Sequence, residues 1–234
     1  MRRLDRTARI QSELIVAIYC FVHQNFPGQY AHLVRHLADM PGNRVYFITQ
    51  SRYGEIPGVR KLVYKPDLTH GASCHPNSAV LEAAVRTGVA VAEVCKRLRR
   101  RGVFPDIIVG HCGWGETLFV RDIWPNVPIL LHAEFFDQAQ GADVGVGPET
   151  ADPDPVRAAY LIRGRRVPML QALADATQAV TSTDWQASTF PAFLRSRIDV
   201  IHEGIDTSIA APDASASLSL RRDGVNLRAG DEIV

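Results

Sequence analysis

Lysine is nearly missing from this chain: only Lys61, Lys65 and Lys96 stand among its 26 basic residues. The arginines that make up the rest run along the whole length, which fits codon bias in a GC-rich genome as well as selection for bidentate phosphate contacts. Against 25 acidic residues they leave a formal net charge of +1, which excludes a strongly basic nucleic-acid binder and an acidic-tail protein. Cysteine is scarce too. Cys20, Cys74, Cys95 and Cys112 are too few and too irregularly spaced for a disulfide framework, and Cys20 and Cys95 fall inside apolar patterns. The chain therefore reads as intracellular, in the cytoplasm. Its longest apolar run, Leu14 to Val22, has nine residues where a membrane helix needs about 20, so no transmembrane segment is expected. No small-residue cleavage site follows that run, and residues 1–13 read as an N-terminal extension, not a signal peptide. There is no P-loop, no G-x-G-x-x-G, no G-x-S-x-G and no cysteine-nucleophile signature. Metal chemistry is also weakly supplied. His70, Cys74 and His75 lack a second pair to complete a tetrahedral set, and in Asp152-Pro-Asp154 the last residue is better placed to cap a helix. No metal ligand is assigned.

What is present is an ordinary globular composition, 46% hydrophobic and 22% charged, in a chain of 234 residues that can bury a core without staples. Leu14 to Val22 is a continuous β-branched and aromatic run, hence a strand buried on both faces. Further strands are expected at Arg44–Gln50, Val59–Tyr64 (a possible edge), Pro105–Gly110, Val127–Ala133, Ala179–Ser182 and Ile198–Ile201. Helices are expected from Gln29 to Met40, from an Asn77 cap to Arg101, over Glu116–Ile123, and from Pro155 to Ala174 with a kink or break at Pro168. Asp184–Thr189 reads as a helical turn. In the first helix Tyr30, Leu33, Val34 and Leu37 share a face; in the second, Leu81, Val85, Gly88, Ala92, Cys95 and Leu98 do. Lys96, Arg97, Arg99, Arg100 and Arg101 load the end of that second helix, where cations favour the helix dipole; an anionic membrane surface is the less economical reading.

Strands alternating with helices mean βαβ crossovers and an α/β, Rossmann-like parallel sheet with helices on both faces. The domain is expected to span residues 14–206. From Thr207 to Arg228 the chain turns to Ala, Ser, Asp and Arg with little periodicity, as in a linker or an exposed hairpin, and 230–234 resembles the start of another strand. Residues 207–234 thus read as a linker and the beginning of a further domain.

Ligands of parallel sheets sit at the carboxyl ends of the strands, and three segments there stand out. In His23-Gln-Asn-Phe-Pro-Gly-Gln29, Gly28 permits close approach of a ligand to the following helix N-terminus; the alternative is a plain strand–helix turn. In Gly110-His-Cys-Gly-Trp-Gly-Glu-Thr117 the glycines leave backbone donors open, His111 supplies a hydrogen-bond donor or proton shuttle, and Trp114 offers a stacking face; glycines this dense also suit a tight turn alone. In His132-Ala-Glu134-Phe-Phe136, Glu134 can orient a hydroxyl or be a surface carboxylate.

These segments, with 105–125, 132–145, 182–191 and 199–207, resemble the N-terminal domain of family-4 glycosyltransferases, retaining enzymes of the two-Rossmann GT-B fold. The similarity covers roughly residues 14–234. His-x-Asn-Phe-Pro-Gly and Gly-His-x-Gly-Trp-Gly-Glu-Thr belong to one subgroup; Ile201-His-Glu-Gly-Ile-Asp206 is similar to the wider N-G-[IV]-D signature, with Glu203 where Asn is common. The resemblance implies an acceptor-side domain that works with a nucleotide-sugar donor as co-substrate, no cofactor, a carbohydrate or lipid-linked acceptor, and a donor-binding C-terminal domain carrying an E-x7-E motif that this sequence does not supply. The chain by itself would then be inactive. It further implies His111 as the catalytic candidate at the donor-sugar position. Asn25, Gly28, Gln29, Gly113, Trp114, Glu116, Glu134, Gly204 and Asp206 are the substrate-binding candidates, with Gly204 and Asp206 at a hinge. A location at the inner membrane face is compatible with this resemblance. Two other readings stay open: a stand-alone binding or interaction module, and a GT-B-fold epimerase or hydrolase of nucleotide sugars.

Overall fold

The computed structural model describes residues 17–68, 74–139, 154–220, 222 and 224–231. Expectations that fall on residues 1–16, on His70, on 140–145, on Asp152 and on 232–234 lie outside this set. The chain divides into two compact units, Met1–His202 and Glu203–Val234.

The first unit is built on a seven-stranded sheet: β1 (Ile18–Val22), β2 (Arg44–Thr49), β3 (Val59–Val63), β4 (Ile107–His111), β5 (Ile129–His132), β6 (Gln178–Thr181) and β7 (Ile198–Val200). Their spatial order is β3-β2-β1-β4-β5-β6-β7, and every pairing is parallel. This is a Rossmann-like α/β sheet whose order reverses between β1 and β4, the place where such sheets open a crevice at their strand ends. As expected for buried parallel strands, side chains alternate between two apolar layers. Phe21, Val45, Phe47 and Val109 pack with Val34 and Tyr30 on one face; Cys20, Val22, Tyr46, Ile48, Ile108 and Leu131 pack on the other.

Helix α1 (Ala31–Asp39) covers the first face through Val34, while Leu33, expected to share that stripe, is exposed. Helices α2 (Ala79–Arg100), α3 (Val120–Ile123) and α4 (Pro155–Asp175) supply the second layer through residues such as Val91, Cys95, Ile123, Met169 and Leu173. Short helices α5 (Asp184–Thr189) and α6 (Ala192–Arg195) lie between β6 and β7.

Four further local expectations change. Asn77 does not cap α2; a 3-10 turn over Pro76–Ser78 precedes that helix, and the Asn77 amide donates to His75 Nδ1 at 3.2 Å. Leu81 and Val85 are only half-buried, because the first turns of α2 pack through the small Ala84 and Gly88 instead. The stretch expected as helix 116–123 is helical only from Val120, since residues 116–119 form turns with Leu118 N–H on Gly115 O and Val120 N–H on Thr117 O. Helix α4 runs on through Pro168 without a break; Pro168, Met169, Ala172 and Leu173 are all buried and hold its second half in place. Asp154 caps α4 as expected, accepting from Val156 and Arg157 N–H at 3.1 Å each.

The second unit contains an antiparallel hairpin of β8 (Ser217–Leu220) and β9 (Val225–Arg228). Of the two readings of 207–228, linker or exposed hairpin, part of the segment is the latter.

Candidate functional site: a histidine cluster at the strand ends

Strand parity brings three histidines to one side of the sheet. His111 and His132 are the last residues of β4 and β5 and are register partners; His23 follows β1 directly, beside them. The ring centroids of His23 and His111 are 6.0 Å apart, and those of His111 and His132 are 5.8 Å apart. All three side chains are buried. The cluster straddles the reversal of strand order between β1 and β4.

His111 is the best defined. Its Nδ1 accepts the Gly113 amide at 3.0 Å, and its Nε2 stands 3.4 Å from Glu134 Oε2. Trp114 lies against its ring, with centroids 5.8 Å apart and planes 23° off parallel, and stays 41% exposed. An apolar face next to an N–H donor and a half-exposed carboxylate is the equipment for holding a hydroxylated ring by stacking and hydrogen bonds. The His111 hydrogen bond holds Glu134 below the usual carboxylate range, against a smaller opposing effect of burial. Burial pushes His23 down, against the Asn25 carbonyl 3.0 Å from its Nδ1.

The strand exit that carries Glu134 is anchored from two helices. Phe136 N–H donates to Thr189 Oγ1 at 2.8 Å, Arg165 pairs with the Asp137 carboxylate at 3.1 Å, and the Arg166 guanidinium lies 4.5 Å over the Phe136 ring.

The glycines of the second segment serve packing more than ligand approach. Gly115 has φ +92°, and a Cβ there would lie 2.4 Å from Ala84 O; a Cβ on Gly88 would lie 2.8 Å from Gly115 O. A Cβ on Gly110 would meet the Thr117 methyl at 2.7 Å. The Gly113 donor, expected to be open, is taken by His111. The turn is thus pressed onto α2, and its direction is fixed by that contact.

Residues 41–210 match the sequence profile of the glycosyl transferase family 4 group, nearly three-quarters of the chain. The chain belongs to that family. No curated protein matches it significantly. Solved structures similar to this family-4 chain include the catalytic domain of starch synthase IV from Arabidopsis thaliana bound to ADP and acarbose, at 13% identity and TM-score 0.48, covering 84% of this chain and 53% of that one. A UDP-glucosyltransferase from Polygonum tinctorium is similar at 7% identity and TM-score 0.49, covering 86% and 55%. A UDP-N-acetylglucosamine 2-epimerase is similar at 13% identity and TM-score 0.44, covering 79% and 48%. The chain spans about half the length of the solved structures it matches.

Of the candidate residues in this family-4 chain, the structure gathers His111, Gly113, Trp114 and Glu134 at one place. Gln29 approaches the cluster, its Nε2 3.5 Å from His132 Nδ1. Asn25 and Gly28 are exposed in the turn after β1, which contains a cis Phe26–Pro27 peptide bond; the Asn25 amide faces His23 Nδ1 at 3.1 Å. Glu116 is wholly buried and offers no surface to a ligand. Gly204 and Asp206 belong to the second unit, where Asp206 accepts from Ser208 N–H at 2.9 Å. His23 and His132 were missing from the candidates. Their signal was in the sequence: each, like His111, closes an apolar strand on the same parity. Among the described residues no three His, Cys, Asp or Glu side chains are arranged to hold a metal ion, and no helix is long and apolar enough to cross a membrane.

Proposed function

We propose that the chain is the N-terminal, acceptor-side domain of a retaining glycosyltransferase of the GT-B type. It would move a hexose from a nucleotide-sugar donor to a hydroxyl of a carbohydrate or lipid-linked acceptor, as part of polysaccharide or glycolipid assembly in the cytoplasm. The observation that carries the reading is the His111 arrangement, a buried imidazole between a half-exposed carboxylate and an exposed indole at the strand-order reversal. The family match and a span of about half the length of the similar solved structures support a partner domain that supplies the donor site, without which the chain is inactive. The roles assigned to Gly204 and Asp206, at a hinge between the two domains, belong to the same proposal.

Retaining transfer departs through an oxocarbenium-like transition state, with the nucleoside diphosphate leaving and the acceptor hydroxyl attacking on the same face. Such chemistry depends on placing the acceptor and stabilising developing charge more than on a protein nucleophile. In this scheme a hydroxyl of the donor sugar enters between His111 and Glu134, accepting from His111 Nε2–H and donating to the Glu134 carboxylate, and Trp114 stacks on a sugar ring. The turn carrying Asn25, Gly28 and Gln29 faces the acceptor or the diphosphate. The only co-substrate is the nucleotide sugar; no cofactor takes part.

Product analysis on the full-length protein, with nucleotide sugars and with or without acceptor, tests the reading. Transfer that requires acceptor and yields an anomer of retained configuration supports it. Release of an epimerised or hydrolysed sugar without acceptor would replace it with the epimerase or hydrolase reading.

A further inference from the structure

Glu116 sits at 0% exposure in the turn between β4 and α3, an unusual place for a carboxyl group. Its Oε1 accepts the Tyr64 hydroxyl at 3.3 Å, and that hydroxyl accepts Gln50 Nε2 at 3.2 Å. Gln50 N–H and Thr49 Oγ1 in turn hold the Gln24 carbonyl, at 3.2 and 2.8 Å. One chain of hydrogen bonds therefore runs from the turn after β4, through the ends of β3 and β2, to the turn after β1. Oε2 has no hydrogen-bond partner. The neighbouring Gly115 is packed directly on the Ala84 backbone of α2.

An ionised carboxylate with one oxygen unpaired in such a place carries the cost of a buried, half-solvated charge; the protonated form leaves only a neutral O–H without an acceptor, which is the smaller cost. The titratable groups that face it are His111 and Tyr64. Burial raises Glu116 above its ordinary range, outweighing the pull of its own amide, of His111, of the Tyr64 hydroxyl and of the Gln24 amide.

We propose that Glu116 is a positioning residue: its carboxyl keeps its proton, ties the His111–Trp114 turn to the ends of β1, β2 and β3, and touches no substrate. Its consequence for sugar transfer rests on the function proposed above, whereas the protonated tie itself does not.

Infrared difference spectroscopy of the whole chain at neutral pH, wild type against Glu116→Gln, tests the tie. The expected result is loss of a protonated carboxyl C=O band; loss of a carboxylate band instead overturns the proposal. Tyr64→Phe gives a second reading that does not require the Gln variant to fold. It shifts the same C=O band to higher wavenumber, because the donor to Oε1 is gone, and an unmoved band overturns the tie. In the full-length enzyme, Glu116→Ala lowers kcat by about tenfold or more with KM nearly unchanged, and Glu116→Gln restores most of it. Failure of Gln to rescue means that the negative charge is required, and overturns the proposal. Absence of any transfer by the wild type would remove the transferase reading and leave the infrared result to decide the tie.

Discussion

Gly113 donates its backbone N–H to Nδ1 of His111 at 3.0 Å, and this bond fixes where the imidazole proton sits. With Nδ1 accepting, the neutral ring carries its hydrogen on Nε2, the nitrogen that faces Glu134 at 3.4 Å. His111 is thereby set as a donor toward the strand-end surface, with the Trp114 ring alongside it.

Replacing Gly113 tests that setting. Its backbone does not need a positive φ, but an added Cβ would lie 3.0 Å from His111 Cε1. Gly113→Ala is expected to fold with a melting temperature near that of the wild type, while the His111 ring signals in NMR spectra move. Unmoved ring signals would mean that the turn absorbs the methyl elsewhere.

Gly115→Ala should behave differently. Its φ of +92° disfavours any side chain, and its Cβ would lie 2.4 Å from Ala84 O and 2.6 Å from Ala84 Cα, backbone atoms of α2 that cannot turn aside. A loss of about 2–4 kcal/mol in denaturant unfolding is expected. A loss below about 0.5 kcal/mol would show that the turn is not pressed onto the helix.

Glu116 gives a pH signature. A carboxyl whose folded value lies above its ordinary 4.5 contributes stability that is full below 4.5 and is lost as pH rises toward the folded value. The wild type should therefore lose up to about 1.4 kcal/mol per pH unit relative to Glu116→Gln in that window. Unfolding curves of the two proteins between about pH 4 and 8 check it, and parallel curves would contradict it.

Glu134 has the opposite sign. Its folded value is lowered, first by the His111 hydrogen bond, so its contribution is present above 4.5 and is lost as pH falls through the folded value. The carboxylate is half-exposed, so solvent limits the pair to about 1 kcal/mol or less. Glu134→Gln should lower stability by that small amount at neutral pH and by progressively less as the pH falls through the lowered folded value, which unfolding curves of the two proteins check.

The strands were legible because parallel strands buried on both faces read as unbroken apolar runs, as in Ile18–Val22 and Ile129–His132. The Asp154 cap was legible because its side chain acts on its own neighbours. Long-range facts were not. Nothing near Glu116 in sequence tells of Tyr64, 52 positions away, and nothing near Gly115 tells of Ala84. The continuity of α4 through Pro168 is set by buried neighbours, which outweigh the local propensity of proline. Of the site, His111, Trp114 and Glu134 could be found from strand ends alone, and His23 and His132 carry the same strand-end signal; that the three rings meet required the register of β1, β4 and β5.

Sugar transfer itself is tested most directly by assaying the full-length protein against a panel of nucleotide sugars and acceptors, wild type beside His111→Ala. The expected result is acceptor-dependent transfer from one donor by the wild type, falling by about a hundredfold or more when the Nε2 donor is removed. Transfer that is undiminished in His111→Ala would contradict the role of His111, and a wild type that transfers no sugar would contradict the transferase reading as a whole.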